Sequence, residues 1–555
     1  MSVRFILGRA GTGKTRMCLD AAAAALQTQE DTPLVLLVPE QATYQAEQAI
    51  LSSPAVQGYS RLRIVSFERL RFWLMPPAAG KTELSRLGRQ MIAGRILMDC
   101  RDQLQLLVPN SRSPGLAEKT ADLIAQLFCA EAEPDQLRQT ARILEERDPG
   151  SRTALKLTDL AAIFEAYQEY LDHSGRFSDP DRDFGRSRCR IEQAAFLRKA
   201  RLWVDGFSGF TAQEETLLLE LLKTADQSYI ALCLDPSVGE AQTLDPFSAF
   251  APTEQTYFRL QRRIAEANLE IEKPILLQDS RRYRKAPALR YLEENFFNDF
   301  PGQPAPCNGA VVCAALPDVR GECLWTARQI LRLVREENLR YRDIAVVAPD
   351  MAVYQHPLVW AMEQIGLPFF LDQPRPLRTH PAIELLNSAL RAVCFGFRLP
   401  DMMAYLKTGL SGLEDVQTDL LDNYCRLAGI EGQDWFQEEP WEFVEKSEGV
   451  NETQIDGLRR KIAAPLKALR DNLHIGANQA IYPEEFVRAI WDFLTALQTG
   501  QTLSDLAQND PSDQRFGHRQ LWDKLIQILD ELCAIYENVQ RPAAEFIRLL
   551  ETAFA

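Results

Sequence analysis

The chain reads as an α/β protein in which parallel sheets are interrupted by large all-helical insertions. Three observations predict this. Short apolar runs at 3–7 (VRFIL), 34–38 (LVLLV) and 61–66 (RLRIVS) alternate with helical segments, the pattern of a parallel sheet covered on both faces. A Gly-rich turn, GRAGTGKT at 8–15, joins the first run to a helix through the Ala-rich stretch 16–27. From about Glu83 to Lys199 the pattern changes to long amphipathic helices, before buried-strand character returns at 200–207 (ARLWVDGF).

The helical block includes the stretches 116–128 and 155–171 and is expected as an insertion into the first α/β unit. That unit resumes with the strand at 200–207, a helix over 213–223 and a strand at 228–235 (SYIALCLD). A Pro-rich stretch, PGQPAPCNG at 301–309, marks the next boundary. Beyond it a second α/β unit is expected: strands at 310–316 (AVVCAAL), 343–349 (DIAVVAP) and 368–372 (PFFLD), with helices over 321–337 and 358–365. Helical periodicity then dominates from about Pro381. The predicted division is 1–82 with 195–300, a helical insertion 83–194, an incomplete second unit 306–395, and a helical domain 396–555. The last residues, RPAAEFIRLLETAFA, still read as an amphipathic helix, so the chain is expected to stop inside a larger protein.

Bulk properties narrow the class. With 555 residues, length alone suggests about three to four domains. Hydrophobic content of 46% and charged content of 25% are those of a globular protein. No apolar run reaches the ~18 residues a membrane span needs. The N-terminus lacks the long apolar core and cleavage site of a signal peptide, so a cytoplasmic location is expected. Eleven cysteines include no CxxC pair, which points to free thiols in a reducing compartment. A net charge of −15 argues against a simple sequence-specific DNA-binding protein. It does not exclude DNA, because a groove can be basic while the whole is acidic.

Gly8, Arg9, Ala10, Gly11, Thr12, Gly13, Lys14 and Thr15 match GxxxxGK[ST] in full. Glycines let backbone N–H groups point at phosphates, the Lys14 ammonium neutralises β/γ oxygens, and the Thr15 hydroxyl meets Mg²⁺. The following helix aims its N-terminus at the anion. ATP and Mg²⁺ are the expected ligands. Hydrolysis also needs an acid at the end of a neighbouring strand. Asp205, after Leu202-Trp203-Val204, fits that role, with a strand-ending Asp in a turn with Gly206 as the alternative. Lys14 and Asp205 are thus the catalytic candidates, and Thr15 and Asp205 the metal candidates. The base usually found beside the Asp is missing, since Gly206 follows it. Glu214 and Glu215 lie farther on, where they favour a helix dipole.

Taken together these segments resemble a superfamily 1 helicase of the UvrD/RecB type, and more closely the AddB (RexB) subunit of bacterial AddAB nucleases. The resemblance is carried by FILGRAGTGKT, LLVPEQATYQAEQAI (36–50), RIVSFERL (63–70), LTDLAAIFEAYQEYL (157–171) and WVDGFSGFTAQEE (203–215). YRDIAVVAPDMAVY (341–354) and IGLPFFLDQPRPLRTHPAIELL (365–386) continue it, so that it covers most of residues 1–400. It implies two RecA-like P-loop domains and places Asp205 at the second helicase motif. It also gives Gln213 a nucleotide-contacting role and puts Pro39-Glu40-Gln41 and Ser66-Phe67 at loops that touch single-stranded DNA. Phe67 reads equally well as a core residue that begins a helix.

The departures from the pattern are the acid replaced by Gly206, the missing adenine-recognising glutamine upstream of Gly8, and no fourth-motif arginine near Tyr354-Gln355-His356. All point to a nucleotide-binding subunit that is a poor motor. The resemblance implies an AddA-like partner, DNA as substrate, and a Chi-scanning role in double-strand-break repair. It places the nuclease and its iron–sulfur cluster beyond residue 555. The alternatives are an autonomous ATP-dependent helicase and a structural module with a vestigial loop.

Three basic clusters are candidate phosphate contacts: Arg61, Arg63, Arg69 and Arg71; then Arg186, Arg188, Arg190, Arg198 and Arg201; then Arg281, Arg282, Arg284 and Lys285. Solvated faces or ion pairs with the 77 acids are the bland reading of each. Tyr44, Phe67 and Trp73 are the aromatics placed to stack on bases.

Overall fold

The computed structural model describes residues 1–554 apart from 29, 55, 77–80, 108–113, 240–245, 297–302, 304–305, 372–378, 442–451, 476–478 and 510–513. The described strands are β1 (Ser2–Gly8), β2 (Leu34–Leu37), β3 (Leu62–Val65), β4 (Thr82–Glu83), β5 (Phe177–Ser178), β6 (Arg201–Val204), β7 (Gln227–Cys233), β8 (Glu270–Leu277), β9 (Ala480–Ile481) and β10 (Arg541–Pro542). Six of them form one parallel sheet in the order β3-β2-β6-β7-β1-β8. The other four make two short two-stranded ladders, β4 with β5 and β10 with β9.

Both faces of the large sheet are dry. Val3, Phe5, Leu7, Val35, Leu37, Leu202 and Val204 enter one core, and Ile6, Leu34, Leu36, Leu62, Ile64 and Trp203 enter the other. That alternation is the period-2 consequence of strands buried on both sides. It explains why these strands read as unbroken apolar runs.

β8 lies outside the strands expected from the sequence. Its sequence, EIEKPILL, mixes charges and a proline into the run. As an edge strand it tolerates both. Its register against β1 shifts between Arg4 and Ile6, where Lys273-Pro274 supplies the extra residue. Arg4 closes the edge by pairing with Glu272 at 3.6 Å.

The helices between β4 and β5 and those after residue 380 share a single apolar core. Ile92, Phe164 and Tyr167 belong to it together with Leu386, Phe486, Ile528 and Leu550. A polar pin crosses the joint, where the buried Glu531 carboxylate accepts from the Ser85 hydroxyl at 2.5 Å; within the insertion, Asp179 is held by Arg89 at 2.9 Å and by the Tyr167 hydroxyl at 2.6 Å.

The second α/β unit departs from expectation. Its helices form, as Val319–Glu336 and Met351–Ile365, packed around Cys323, Ala327, Ala361 and Met362. The three expected strands do not. Among the described residues, 310–316, 343–349 and 368–371 have no strand pairing, and residues 301, 302, 304, 305 and 372 lie outside the described residues. A strand exists only as a hydrogen-bonded pair. These segments instead leave Val312, Val347 and Phe370 largely exposed, at 68%, 90% and 88%. Apolar patterning reported strand-like composition and not the presence of a neighbour.

Candidate nucleotide site

β1 delivers Gly8 to the carboxyl edge of the sheet, and the helix Lys14–Leu26 starts six residues later. The turn between them needs glycine at the helix entrance. Gly13 sits at φ 100° as the N-cap, a left-handed conformation that a side chain would strain. Lys14 folds back into the loop, its ammonium donating to the carbonyls of Gly8 at 2.8 Å and Arg9 at 2.9 Å. The buried Thr12 hydroxyl donates to the Arg9 carbonyl at 2.9 Å.

Asp205 follows β6 at the same edge, where Leu37 pairs with Val204 and Gly8 with Cys233. The structure brings it to the loop. Burial pushes the Asp205 carboxyl above its ordinary range, while the neighbouring Thr15 hydroxyl, the Lys14 charge and the Gly206 N–H draw it back. A hydroxyl and a buried carboxylate form an oxygen donor set that suits Mg²⁺. Lys14, Thr15 and Asp205, far apart in sequence, therefore meet.

The position after Asp205 disfavours any side chain. Gly206 has φ 86°, and a Cβ there would stand 3.0 Å from Cδ of Pro39. Neither nearby glutamate substitutes. Glu214 is spent in the capping box of the helix Ala212–Thr224, accepting from Thr211 N–H at 2.8 Å. Glu215 is buried and ion-paired with Arg259 at 2.5 Å and Arg263 at 3.1 Å. Gln213 is turned elsewhere too. Its amide donates to the Asp181 carbonyl at 3.0 Å, which engages it with the helical insertion and not with the phosphate loop.

One part of the site was missed by sequence reasoning. The segment after β8 lies across the loop: Arg282 N–H donates to the Gly11 carbonyl at 3.1 Å. A Cβ on Gly11 would lie 2.9 Å from Arg282 Cβ and 3.2 Å from Tyr283 Cε2, and one on Gly13 would lie 3.8 Å from Arg281 Cδ. Arg284 pairs with Asp279, whereas among the described residues neither Arg281 nor Arg282 has an ion-pair partner. The run SRRYRK was visible as a basic cluster. Its place beside the loop depends on β8 being the strand next to β1, which the sequence did not disclose.

The first basic cluster is consumed internally. Arg61 donates to main-chain carbonyls of Ala25, Thr28 and Glu30. Arg63 lies between the rings of Trp73 and Phe196, at 4.9 and 5.3 Å. Arg69 pairs with Glu40 and Glu47, and the buried Arg71 pairs with Glu83. In the second cluster Arg186, Arg188 and Arg201 pair with Asp172, Glu131 and Glu30. Phe67 is core, packed edge-on against Phe184, Phe207 and Phe210. Ser66 caps the helix Phe67–Leu74 and donates to Glu40. Phe72 and Trp73, 50% and 41% exposed, line a groove with Glu40, Glu68, Arg69, Arg71 and Glu83, and Tyr44 is 70% exposed.

A family model described as ADDB, N-terminal, matches residues 5–293, more than half of the chain. The chain belongs to the AddB family. An AddB relative from Pelotomaculum thermopropionicum, named as a subunit of an ATP-dependent helicase/deoxyribonuclease, is 34% identical over 98% of this chain and 48% of its own length. Proteins of the same name from Symbiobacterium thermophilum and Moorella thermoacetica are each 33% identical, over 96% and 100% of this chain and 47% and 49% of theirs. The chain spans about half the length of these AddB relatives. Among the described residues no helix is long and apolar enough to cross a membrane, and no group of three or more His, Cys, Asp or Glu is placed to hold a metal ion.

Proposed function

We propose that this AddB-family chain is the nucleotide-holding, helicase-like part of a two-subunit DNA-break-processing enzyme. In this reading an AddA-like partner supplies most of the motor work. The observation that carries it is the convergence of Lys14, Thr15 and Asp205 beside Gly206, a position that disfavours any side chain. Gly8–Thr15 would hold the phosphates of ATP, and Thr15 and Asp205 would hold Mg²⁺. The metal, when bound, bridges and neutralises phosphate oxygens. Arg281, lying over Gly13, would add a second cation to the phosphate site. With no acid to orient water, turnover by this chain would be slow while binding stayed tight.

DNA scanning, including recognition of a Chi sequence, is the remaining part of the reading. It draws support from Tyr44 and Phe72, which are 70% and 50% exposed and on which unpaired bases could stack. Two RecA-like units, the second completed outside the described strands, belong to the same proposal.

The test is thermal unfolding with and without Mg-ATP, beside a Lys14→Ala control. A rise in wild type that the variant lacks supports a working nucleotide site. No rise in either would leave the loop as structure only. ATPase activity that climbs steeply with single-stranded DNA would instead favour an autonomous motor.

A further inference from the structure

The second residue of the phosphate loop has a side chain held by acids outside the loop. The Arg9 guanidinium is only 26% exposed and is gripped from three sides. Its Nη1 meets Asp235, just after β7, at 3.2 Å, and its Nε meets Glu293, in the helix Pro287–Asn295, at 3.0 Å. Its Cζ lies 5.3 Å from the centre of the Phe250 ring. Its Nη2 also donates to the main-chain carbonyl of Glu293.

That last contact is informative. Glu293 stands in the last turn of its helix, where carbonyls lack intrahelical partners and a carboxylate is disfavoured by the helix dipole. Arg9 answers both problems, by capping the carbonyl and neutralising the carboxylate. Meanwhile the Arg9 carbonyl accepts from Lys14 Nζ and Thr12 Oγ1, both at 2.9 Å. One residue thus organises the inside of the loop through its main chain and a distant helix through its side chain.

We infer that Arg9 is a positioning residue that clamps the phosphate loop to the helix Pro287–Asn295 and links nucleotide binding to the order of that helix. The inference rests on the nucleotide reading above. Binding of a triphosphate draws the Lys14 ammonium off the Arg9 carbonyl toward phosphate oxygens. The clamp holds the main chain in place while this happens, so the loop is not reorganised on binding. By linkage, the nucleotide in turn steadies the helix that precedes the passage to the second α/β unit.

The test uses the whole 555-residue chain with a fluorescent ATP analogue and Mg²⁺. It compares wild type, Arg9→Ala, Arg9→Lys, Glu293→Gln, the Arg9→Ala/Glu293→Gln double variant and Lys14→Ala. Hydrogen exchange of residues 287–295 is followed with and without nucleotide. Arg9→Ala should weaken binding about tenfold, as expected for loss of charge-assisted contacts. Arg9→Lys should recover part of that, and the double variant should be no weaker than Arg9→Ala alone. Nucleotide should slow exchange in 287–295 in wild type and not in Arg9→Ala. Should Arg9→Ala fold poorly, Glu293→Gln carries the same comparison. Wild-type affinity in Arg9→Ala, strictly additive losses, or unchanged protection in that variant would each overturn the clamp while leaving the nucleotide reading intact. A wild type that binds no better than Lys14→Ala would overturn both.

Discussion

Restoring the acid that helicases of this type carry after Asp205 should not restore turnover, and the reason is geometric. In Gly206→Glu the new side chain must sit at φ 86°, where a non-glycine residue costs about 1–2 kcal/mol. Its Cβ also stands 3.0 Å from Pro39 Cδ, tighter than ordinary contact. The proline ring is part of the chain leaving β2 and yields little, so a further ~1 kcal/mol or more is expected from overpacking. The sum, roughly 2–4 kcal/mol, lowers the melting temperature by several degrees. Pro39→Ala in the same chain should relieve the contact and leave the dihedral strain, recovering part of the loss.

ATP turnover with saturating single-stranded DNA should stay near the wild-type rate in Gly206→Glu, because a strained glutamate is not aimed at the phosphate site. Melting by calorimetry and phosphate release measured on the same preparations separate the two effects. A Gly206→Glu protein that melts like wild type and hydrolyses ATP many-fold faster would refute this reasoning. It would show that Pro39 and the backbone leave room for a working base, and that the missing acid is an accident of sequence.

Three further outcomes follow from the same geometry. Burial raises the Asp205 carboxyl, so the folded state binds its proton more tightly than the unfolded state and stability falls as pH rises from the ordinary Asp range through the raised value. Asp205→Asn should therefore melt at or above wild type at neutral pH without ligand, lose that advantage in acid, and lose the Mg-ATP-dependent rise; a lower neutral melting temperature contradicts this. Arg61→Ala should destabilise by about 1 kcal/mol through lost, partly exposed hydrogen bonds to main-chain carbonyls and leave the salt dependence of DNA binding unchanged, whereas a flatter salt slope would return Arg61 to the DNA surface. His380 caps the helix Pro381–Phe395 and meets His518 at 2.9 Å; burial, then the charge of His518, depresses it from 6.5 to about 4. Its contribution is present above 6.5 and lost as pH falls toward 4, and His380→Asn, which can keep the cap, should flatten that part of the melting profile.

How much was legible in the sequence depended on how local the signal was. The phosphate loop is eight contiguous residues whose spacing is the chemistry, and Asp205 closes a run of buried strand residues. Both were found. Gln213 was expected at the nucleotide, Phe67 at a DNA loop or in the core, and the arginines at 61–71 at DNA phosphates, and their contacts are decided by partners far away in sequence. Phe67 meets Phe207 and Phe210, Gln213 meets Asp181, and Arg61 meets carbonyls some thirty residues earlier. The clamp made by Arg9 was invisible for the same reason, since Asp235 and Glu293 lie over two hundred residues away. β8 was hidden by Lys273-Pro274, which only an edge position allows.

The way the sheet unit joins the helical body bears on what nucleotide binding can do. The two have separate apolar cores, one around Phe5, Leu202 and Leu232 and the other around Phe164, Leu386 and Ile528. Between them the links mix polar and apolar contacts: Gln213 to the Asp181 carbonyl, Thr216 to Glu131 at 2.9 Å and Arg71 to Glu83 at 3.1 Å, beside Phe184 packed on Phe67 and Ile191 buried in the sheet core. Hydrogen bonds of this kind exchange partners at less cost than the apolar contacts beside them. Asp205 and Gln213 stand at opposite ends of one short connection, the first on the phosphate site and the second on the helical insertion. A nucleotide that shifts Asp205 therefore pulls on the hydrogen bonds of that joint, so any response to ATP should appear first as a change at Gln213–Asp181 and leave both apolar cores intact.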